Sequence, residues 1–584
     1  MTGSLVSMPK GMMESLKRFW KWTESPAFSY LTLFLLQLKV MWGVWKYRDL
    51  TVGDTAAYFA RAYDWFQNFR VDIVWSPVYT AFYGSLLFFS PDPYLVTTLH
   101  RLIIVFALAM LVMAVMRRLL PSGIAWVIAA WWVVIPFNFD VFEVHLFAAL
   151  PILGAWLLML SKESTWKRGA AIAILFASSI LIRNEMIIAL GVLGIVCLWW
   201  EISLVHERKS SPRFSTYLIS YGLPLAMGGL VCLFFYTRST IQFPKLPSAL
   251  KPKHTVNMCQ VYAYGYKQRH PEWNKDHWTE CEDLMLAQFG KKLPSLMEMI
   301  RRNPRAVLDH VLWNLRLLPN GIQLSLFTAT SGKITPDYFP VPYRYWFITI
   351  LSALLTGLLI IGLFFLYLDH RRWWKDWLKG RALGWLSILA SLTTVFLIVI
   401  PTQRPRPEYM YSLTLFIMAL TGMCIFAILQ RLGAYKRLDR WILAIVVVLL
   451  IAAPSYYLRG WQGQPRRLLQ VCQRLSPFQA MIASPNTVFL EGEQAFSVAG
   501  YLGHFKSKVL DYRILDQLPV GMPLETFLEK NGINLFYVDE SLNTRLVANP
   551  LCRPFLISPD SFGWKLVAFQ DVGDGKWMLL KKMP

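Results

Sequence analysis

The sequence is short of charge, and shorter still of acid. Only 16% of its 584 residues are charged, and 36 Asp and Glu stand against 59 Lys and Arg, a formal net charge of +23. A soluble domain carries roughly a quarter charged residues, so a chain that is 55% hydrophobic and 15% aromatic is set apart from that class. The basic excess does not point to nucleic acid, because the basic residues lie in short runs between apolar stretches, as they do at the cytoplasmic flanks of membrane spans. Internal repeats and low-complexity segments are lacking. So is a cleavable signal peptide: residues 8–23 are basic and amphipathic and lead into an uncleaved apolar stretch.

Long apolar runs are what the chain has instead. A bilayer-crossing helix takes about 20 mostly apolar residues, and candidate spans fall at 27–47, 102–120, 122–138, 142–160, 169–182, 185–204, 214–237, 346–368, 383–400, 410–430 and 441–458. The expectation is a polytopic α-helical membrane protein with about eleven transmembrane helices. With the N-terminus inside, each inner loop is basic: Lys10, Lys17, Arg18 and Lys21; Arg117 and Arg118; Lys162, Lys167 and Arg168; Arg208, Lys209 and Arg213; the Arg371–Arg381 run; and Arg431, Lys436, Arg437 and Arg440. The short outer loops hold only Arg48, Arg61, Arg70, Arg101, Arg183, Arg404 and Arg406, the asymmetry the positive-inside rule requires.

This orientation divides the chain into an N-terminal transmembrane module (1–237) with a first outer loop (48–101), a large outer loop (238–345), C-terminal transmembrane helices (346–458) and an outer tail (459–584). Cysteine is scarce, with seven residues. Cys197, Cys232 and Cys424 fall within spans, where a small apolar residue is unremarkable. Cys259, Cys281, Cys472 and Cys552 fall outside, and an even outer set suggests the bridges Cys259–Cys281 and Cys472–Cys552 in an oxidising compartment. The tail reads as a small α/β domain: strand-like runs at 487–490, 508–511 and 534–538 alternate with helical stretches at 495–502 and 524–530, and 564–569 and 576–580 make a closing hairpin. The 238–345 loop, with His254, His270, Trp273, His277, Trp278, Arg301 and Arg302, reads as a disulfide-braced lid or an aromatic sugar-contacting surface. His270 and His277 beside Cys259 and Cys281 do not have the spacing of a zinc site.

Polar residues gather at the outer helix ends. Asp54 heads an amphipathic helix with Phe59, Tyr63, Phe66 and Phe69 on one face and Arg61, Asp64 and Asn68 on the other, which suits a helix lying along the membrane surface. Locally Asp54 reads as its N-cap. Asp140, Glu143 and His145 lie between spans three and four. Arg183-Asn184-Glu185 joins spans five and six, and Arg404-Pro405-Arg406-Pro407-Glu408-Tyr409 joins nine and ten. Singly each is a solvated helix end; together they imply an outward-facing polar cavity. An ionisable residue at membrane depth is costly unless it meets water or a partner.

Span number, orientation and the acid-headed first loop resemble the GT-C glycosyltransferases, closest in type to the protein O-mannosyltransferase and aminoarabinose-transferase superfamily. Gly53-Asp54 with Tyr58 resembles that group's first-loop acidic motif. Ser76-Pro77-Val78-Tyr79 resembles the Pro-Pro-Leu-Tyr-type motif after it, and Arg404-Pro405-Arg406 with Tyr409 resembles its late Arg-Tyr signature. The tail stretch 495–503 looks like the outer C-terminal domain of many relatives. The usual adjacent acidic pair is here Asp54-Thr55, which speaks against a two-carboxylate metal site.

The resemblance implies a sugar passed from a polyprenyl-phosphate donor to an acceptor hydroxyl of an envelope glycan, lipid or protein. The reaction would be inverting and need no metal or other cofactor, at the periplasmic face of a bacterial plasma membrane with the C-terminal domain periplasmic. The lack of any Asn-x-Ser/Thr sequon fits such a setting. Asp54 would be general base, with Asp140, Glu143 and His145 holding acceptor or sugar hydroxyls. Arg404, Arg406, Arg183 and Arg61 would meet the phosphate, with Tyr58, Tyr79 and Tyr409 as further substrate contacts. Two other classes fit the same spans. One is a ligase moving a preassembled glycan from its lipid carrier. The other is a lipid or glycolipid transporter, against which stand the lack of matching halves and of mid-membrane charge beyond Lys39, which can snorkel.

Overall fold

A computed structural model describes residues 25–140, 143–159, 165–208, 214–338, 340–368, 403–433, 445, 448–452, 466–493, 496–570 and 577–583. The chain divides into two compact units, one of residues 1–42 and 101–456, the other of 43–100 and 457–584.

The first unit is helical. Its apolar runs become the helices Pro26–Met41, Pro93–Leu119 (which begins in the other unit), Ser122–Val134, Glu143–Met159, Thr165–Leu181, Met186–Arg208, Tyr345–Leu368 and Tyr411–Arg431, with Phe214–Thr237 made of three consecutive helical turns and segments. Helix starts follow capping chemistry: Ser25 accepts the amide of Phe28 at 3.2 Å, with Pro26 in the first turn, where a missing N–H costs nothing. Pro26–Tyr47, Pro93–Leu119, Phe214–Thr237, Tyr345–Leu368 and Tyr411–Arg431 are long and apolar enough to cross a membrane. In an 18-residue apolar stretch of Tyr345–Leu368 only 11% of the residues are buried, and in that of Phe214–Thr237 only 17%, so their side chains are left for a hydrocarbon solvent.

Among the described residues, five helices are therefore of membrane-spanning length. Expected spans 383–400 and most of 441–458 lie outside the described residues. Three others are shorter apolar helices, Ser122–Val134, Val144–Met159 and Met186–Trp199; thirteen residues rise only about 20 Å. Lys39, the expected snorkelling residue, instead donates to the carbonyls of Leu450 and Ile451.

The large loop is largely helix: Leu246–Arg269, Cys281–Phe289, Leu296–Arg302 and Pro304–Phe327. Cys259 and Cys281 are joined, with 5.5 Å between their Cα atoms, inside a core with Tyr262, Met285, Phe289 and Met299. A capping box starts the third of these helices, Ser295 and Glu298 exchanging side-chain and backbone bonds.

The second unit carries the tail sheet, ordered β2-β1-β3-β5-β4. Strands β1 (Val488–Glu491), β2 (Lys508–Asp511) and β3 (Leu535–Val538) are parallel, and β4 (Trp564–Gln570) and β5 (Trp577–Lys582) close it antiparallel. Leu490, Leu528, Phe536, Leu580 and Trp564 form its core. The helices Asp54–Asn68 and Pro77–Leu86 of the first loop belong to this unit. Of the apolar face expected on a membrane surface, Phe59 and Tyr63 are covered by the tail, whereas Phe66 and Phe69 pack on Phe88 and Phe69 stays exposed. Phe59 lies 5.1 Å from Tyr501 and Tyr63 stacks on His504. The short tail helix Ser497–Tyr501 comes so close to Asp54–Asn68 that a Cβ on Gly500 would sit 2.9 Å from the Ala56 carbonyl oxygen. Tyr501 donates to the Thr51 carbonyl at 2.8 Å, and Asp49 accepts the amides of Leu468 and Leu469.

The expected Cys472–Cys552 bridge is not formed; both thiols are free and buried. Cys552 packs in the sheet core beside Phe555 and Trp564. Cys472 sits on Arg467–Leu475 with Asp49, Glu491 and Glu493 as its charged surroundings. Each behaves as a small apolar side chain in its own packing environment.

Candidate functional site

The turn between Thr165–Leu181 and Met186–Arg208 builds the first part of the site. It is closed by the Met186 amide donating to the Arg183 carbonyl at 3.1 Å, and it leaves Arg183, Asn184 and Glu185 at the ends of two apolar helices. Arg183 Nε donates to Glu185 Oε2 at 3.2 Å and Nη2 to Glu185 Oε1. Its Nη1 lies 3.0 Å from Nε2 of His145, in the first turn of Glu143–Met159. Its guanidinium carbon lies 5.7 Å from the centre of the Tyr409 ring, and that ring meets the His145 ring edge-on at 5.0 Å. On the neighbouring helix Leu246–Arg269, His254 Nε2 is 3.4 Å from the Asn184 amide nitrogen.

Arg406 and Glu408 form the second part, on the strand-like approach and 3-10 turn before Tyr411–Arg431. Arg406 Nη2 is 2.6 Å from Glu408 Oε1 and 4.0 Å from Asp337 Oδ1, with its guanidinium 4.4 Å from the Tyr338 ring centre. Burial opposes the charge on Arg406, but Glu408 and Asp337 outweigh it and hold the group above the ordinary arginine range. Such a buried pair is costly to break from one side. Tyr338 also touches Trp278 and His277, whose imidazole burial pulls down to about 4.

Arg404, the first expected phosphate partner, is fully buried. Its Nε donates to the Pro336 carbonyl at 2.6 Å, and its Nη2 to the Thr335 carbonyl at 2.8 Å and to Gln268 Oε1 at 2.7 Å. Tyr264 lies under it at 4.5 Å. Burial draws its pKa down to about 10, so it stays a cation at neutral pH. Its role in the fold is to tie 403–406 to the large loop. The expected substrate contact is corrected to a structural clamp, since every bond it makes is to the protein's interior.

In the second unit Asp54 is exposed and is the first residue of its helix; Gly53, at φ 71°, takes the N-cap position that the sequence assigned to Asp54. Arg61, a third exposed, is paired with Asp64 at 3.5 Å and Asp72 at 3.8 Å. Tyr58 and Tyr79 are buried, edge to face at 5.1 Å, with Trp75 against Tyr58 at the same separation. They are core residues here rather than surface contacts. Ser76 is held at φ 52° before Pro77, a conformation disfavoured both for a non-glycine residue and before proline.

Arg183, His145, Tyr409 and Arg406 are therefore brought into one neighbourhood, with Glu185, Glu408, Asp337 and Tyr338 as partners that the sequence did not assign to a site. Asp54, Arg61, Tyr58 and Tyr79 belong to the other compact unit. The Asp140 and Glu143 side chains lie outside the described residues. Glu185 and Glu408 stood beside basic residues in the same motifs, which was a usable signal. Asp337 and Gln268 come from far along the chain, and no local pattern ties them to Arg406 or Arg404. Among the described residues no group of three or more His, Cys, Asp or Glu is arranged to hold a metal ion.

No protein-family model matches the sequence, and no curated protein matches it. Among solved structures the chain is similar to the oligosaccharyltransferase of Archaeoglobus fulgidus in its apo form, with a TM-score of 0.42 and 11% identity over 88% of this chain and 70% of that one.

Proposed function

We propose that the chain is a membrane glycosyltransferase that moves a sugar from a polyprenyl-phosphate donor to an acceptor hydroxyl of an envelope glycan, lipid or protein at the non-cytoplasmic face. The observation that carries this is Arg183. It is a partly exposed guanidinium at the ends of two apolar helices, with Asn184, His254 and the Arg406 pair in its neighbourhood. An anionic headgroup whose tail runs in the bilayer would be met there by charge-assisted bonds, and arginine's planar fork suits a phosphate. Departure of the prenyl phosphate concentrates negative charge on oxygen, and a fixed cation lowers that barrier most.

Asp54 is the general base of the proposal. It is exposed, and it sits at the head of a helix that the tail clamps along one face. In an inverting single displacement the acceptor oxygen attacks the anomeric carbon, its proton passes to the carboxylate, and the prenyl phosphate leaves with the bonding pair. Purified chain in liposomes should transfer sugar from a polyprenyl-phosphate monosaccharide. Turnover only of a donor carrying a preassembled glycan would make it a ligase, and movement of the lipid without covalent change would make it a transporter.

A further inference from the structure

We propose that His145 is a positioning residue, held as the neutral Nδ1–H tautomer so that its Nε2 lone pair aims Arg183; the functional meaning of this rests on Arg183 being the phosphate partner. Arginine carries five N–H donors and no acceptor, and it keeps its proton in proteins. With Nη1 of Arg183 3.0 Å from Nε2 of His145, the only hydrogen bond open to the pair runs from arginine to imidazole. Nε2 then bears no proton, and the single ring proton of a neutral imidazole is on Nδ1.

Glu185 accepts from Nε and Nη2 of the same guanidinium, so its three nitrogens are oriented by the interhelical turn and by the first turn of Glu143–Met159. The Tyr409 ring, 5.0 Å from the imidazole and 5.7 Å from the guanidinium carbon, fixes the planes of both. A long side chain at a helix end, which would otherwise sample many rotamers, is thereby preorganised. In this arrangement His145 acts on Arg183 through Nε2.

The charges around the ring give the arrangement a direction in pH. Arg183 and Glu185 face His145 from the interhelical turn, Arg406 and Tyr409 from the segment before Tyr411–Arg431, and Lys253 from Leu246–Arg269. Protonating the imidazole would turn the Arg183 bond into a contact between two cations, with Arg406 and Lys253 adding to the repulsion. Aim on the phosphate is therefore lost on the acid side.

The test labels the full-length chain in nanodiscs with nitrogen-15 histidine and follows the ring nitrogens from about pH 8 to about pH 6, across the ordinary histidine range. The chain has nine histidines, and His145→Gln identifies the His145 signals by their loss. Expected are an unprotonated Nε2 and a protonated Nδ1 throughout. A proton on Nε2 at the upper pH, or ordinary titration in that window, overturns the proposal.

Binding of undecaprenyl phosphate to the same nanodiscs supplies the functional arm. His145→Ala should weaken it about 10- to 100-fold, the worth of one hydrogen bond to a charged group. His145→Gln, whose amide oxygen also accepts from Arg183, should stay within about threefold of wild type. Equal binding by His145→Ala and wild type overturns the positioning role. Wild-type chain that binds no undecaprenyl phosphate overturns the phosphate reading of Arg183 instead, while the nitrogen signals still decide the tautomer.

Discussion

The His504 imidazole lies flat on the Tyr63 ring, centroids 3.5 Å apart and planes 8° from parallel, and Lys506 sits 5.4 Å from the same ring. Burial, with Lys506 adding to it, draws the His504 pKa down to about 4 from its ordinary 6.5. The unfolded chain takes up a proton there that the folded chain refuses. Stability from this group is complete above 6.5 and is lost as pH falls from 6.5 toward 4, by up to about 3 kcal/mol at 1.36 kcal/mol per pH unit. The Tm of the detergent-solubilised chain should therefore fall as pH drops across that window, and His504→Phe should remove the contribution.

Gly500 is the close contact between the tail and the first-loop helix. A Cβ there would meet the Ala56 backbone oxygen at 2.9 Å and its Cβ at 3.0 Å, and neither atom can swing aside. Gly500→Ala should cost about 1–3 kcal/mol by overpacking, read as a lowered Tm, whereas Gly521→Ser, which meets nothing within 4 Å but has φ +87°, should cost only the backbone strain.

Arg404 distinguishes a clamp from a substrate contact. Arg404→Ala leaves the carbonyls of Thr335 and Pro336 without their donor, while Gln268 Oε1 keeps only the Trp313 indole N–H. At about 1–3 kcal/mol for each buried group left unmet, the variant should lose several degrees of Tm and gain protease sensitivity in the large loop. Loss of activity with unchanged stability would restore Arg404 to the substrate site.

Cysteine chemistry is directly countable. Alkylation under denaturing, non-reducing conditions should modify five thiols and leave the Cys259–Cys281 bridge, which closes a sequence separation of 22 residues. Cys259→Ser with Cys281→Ser should destabilise the large-loop helices by about 3 kcal/mol, the loop-closure value for a bridge of that span. A second disulfide in the alkylation map would contradict the separate packing of Cys472 and Cys552.

The elements that could be read from sequence are those whose signal is local. Tail strands at 488–491, 508–511 and 535–538 follow from short apolar runs bounded by turn residues, and the Asp54–Asn68 helix from its 3.6-residue pattern. The pattern says that the face of Phe59 and Tyr63 must be buried, but not by what. Lipid and the 497–504 segment satisfy it equally, and only the fold brings His504 to Tyr63. The large loop hid its helices because residues such as Tyr262, Phe289 and Met299 pack among polar and basic neighbours, which blurs any periodicity. In the site, Arg183 and His145 were legible as helix-end polar residues, whereas the burial of Arg404 depends on carbonyls some 70 residues away in sequence.

The central claim is a lipid-linked sugar transfer with Asp54 as base. Its most direct measurement is the rate of sugar transfer from a polyprenyl-phosphate monosaccharide by purified wild-type chain and Asp54→Asn in liposomes, with the Tm of both recorded. Asp54 is exposed and caps nothing through its side chain, so the substitution should leave Tm within about 1 kcal/mol of stability, the worth of a first-turn acid. Transfer should fall at least about 100-fold, the lower bound of a general base's contribution. An Asp54→Asn chain that transfers sugar at the wild-type rate would contradict it.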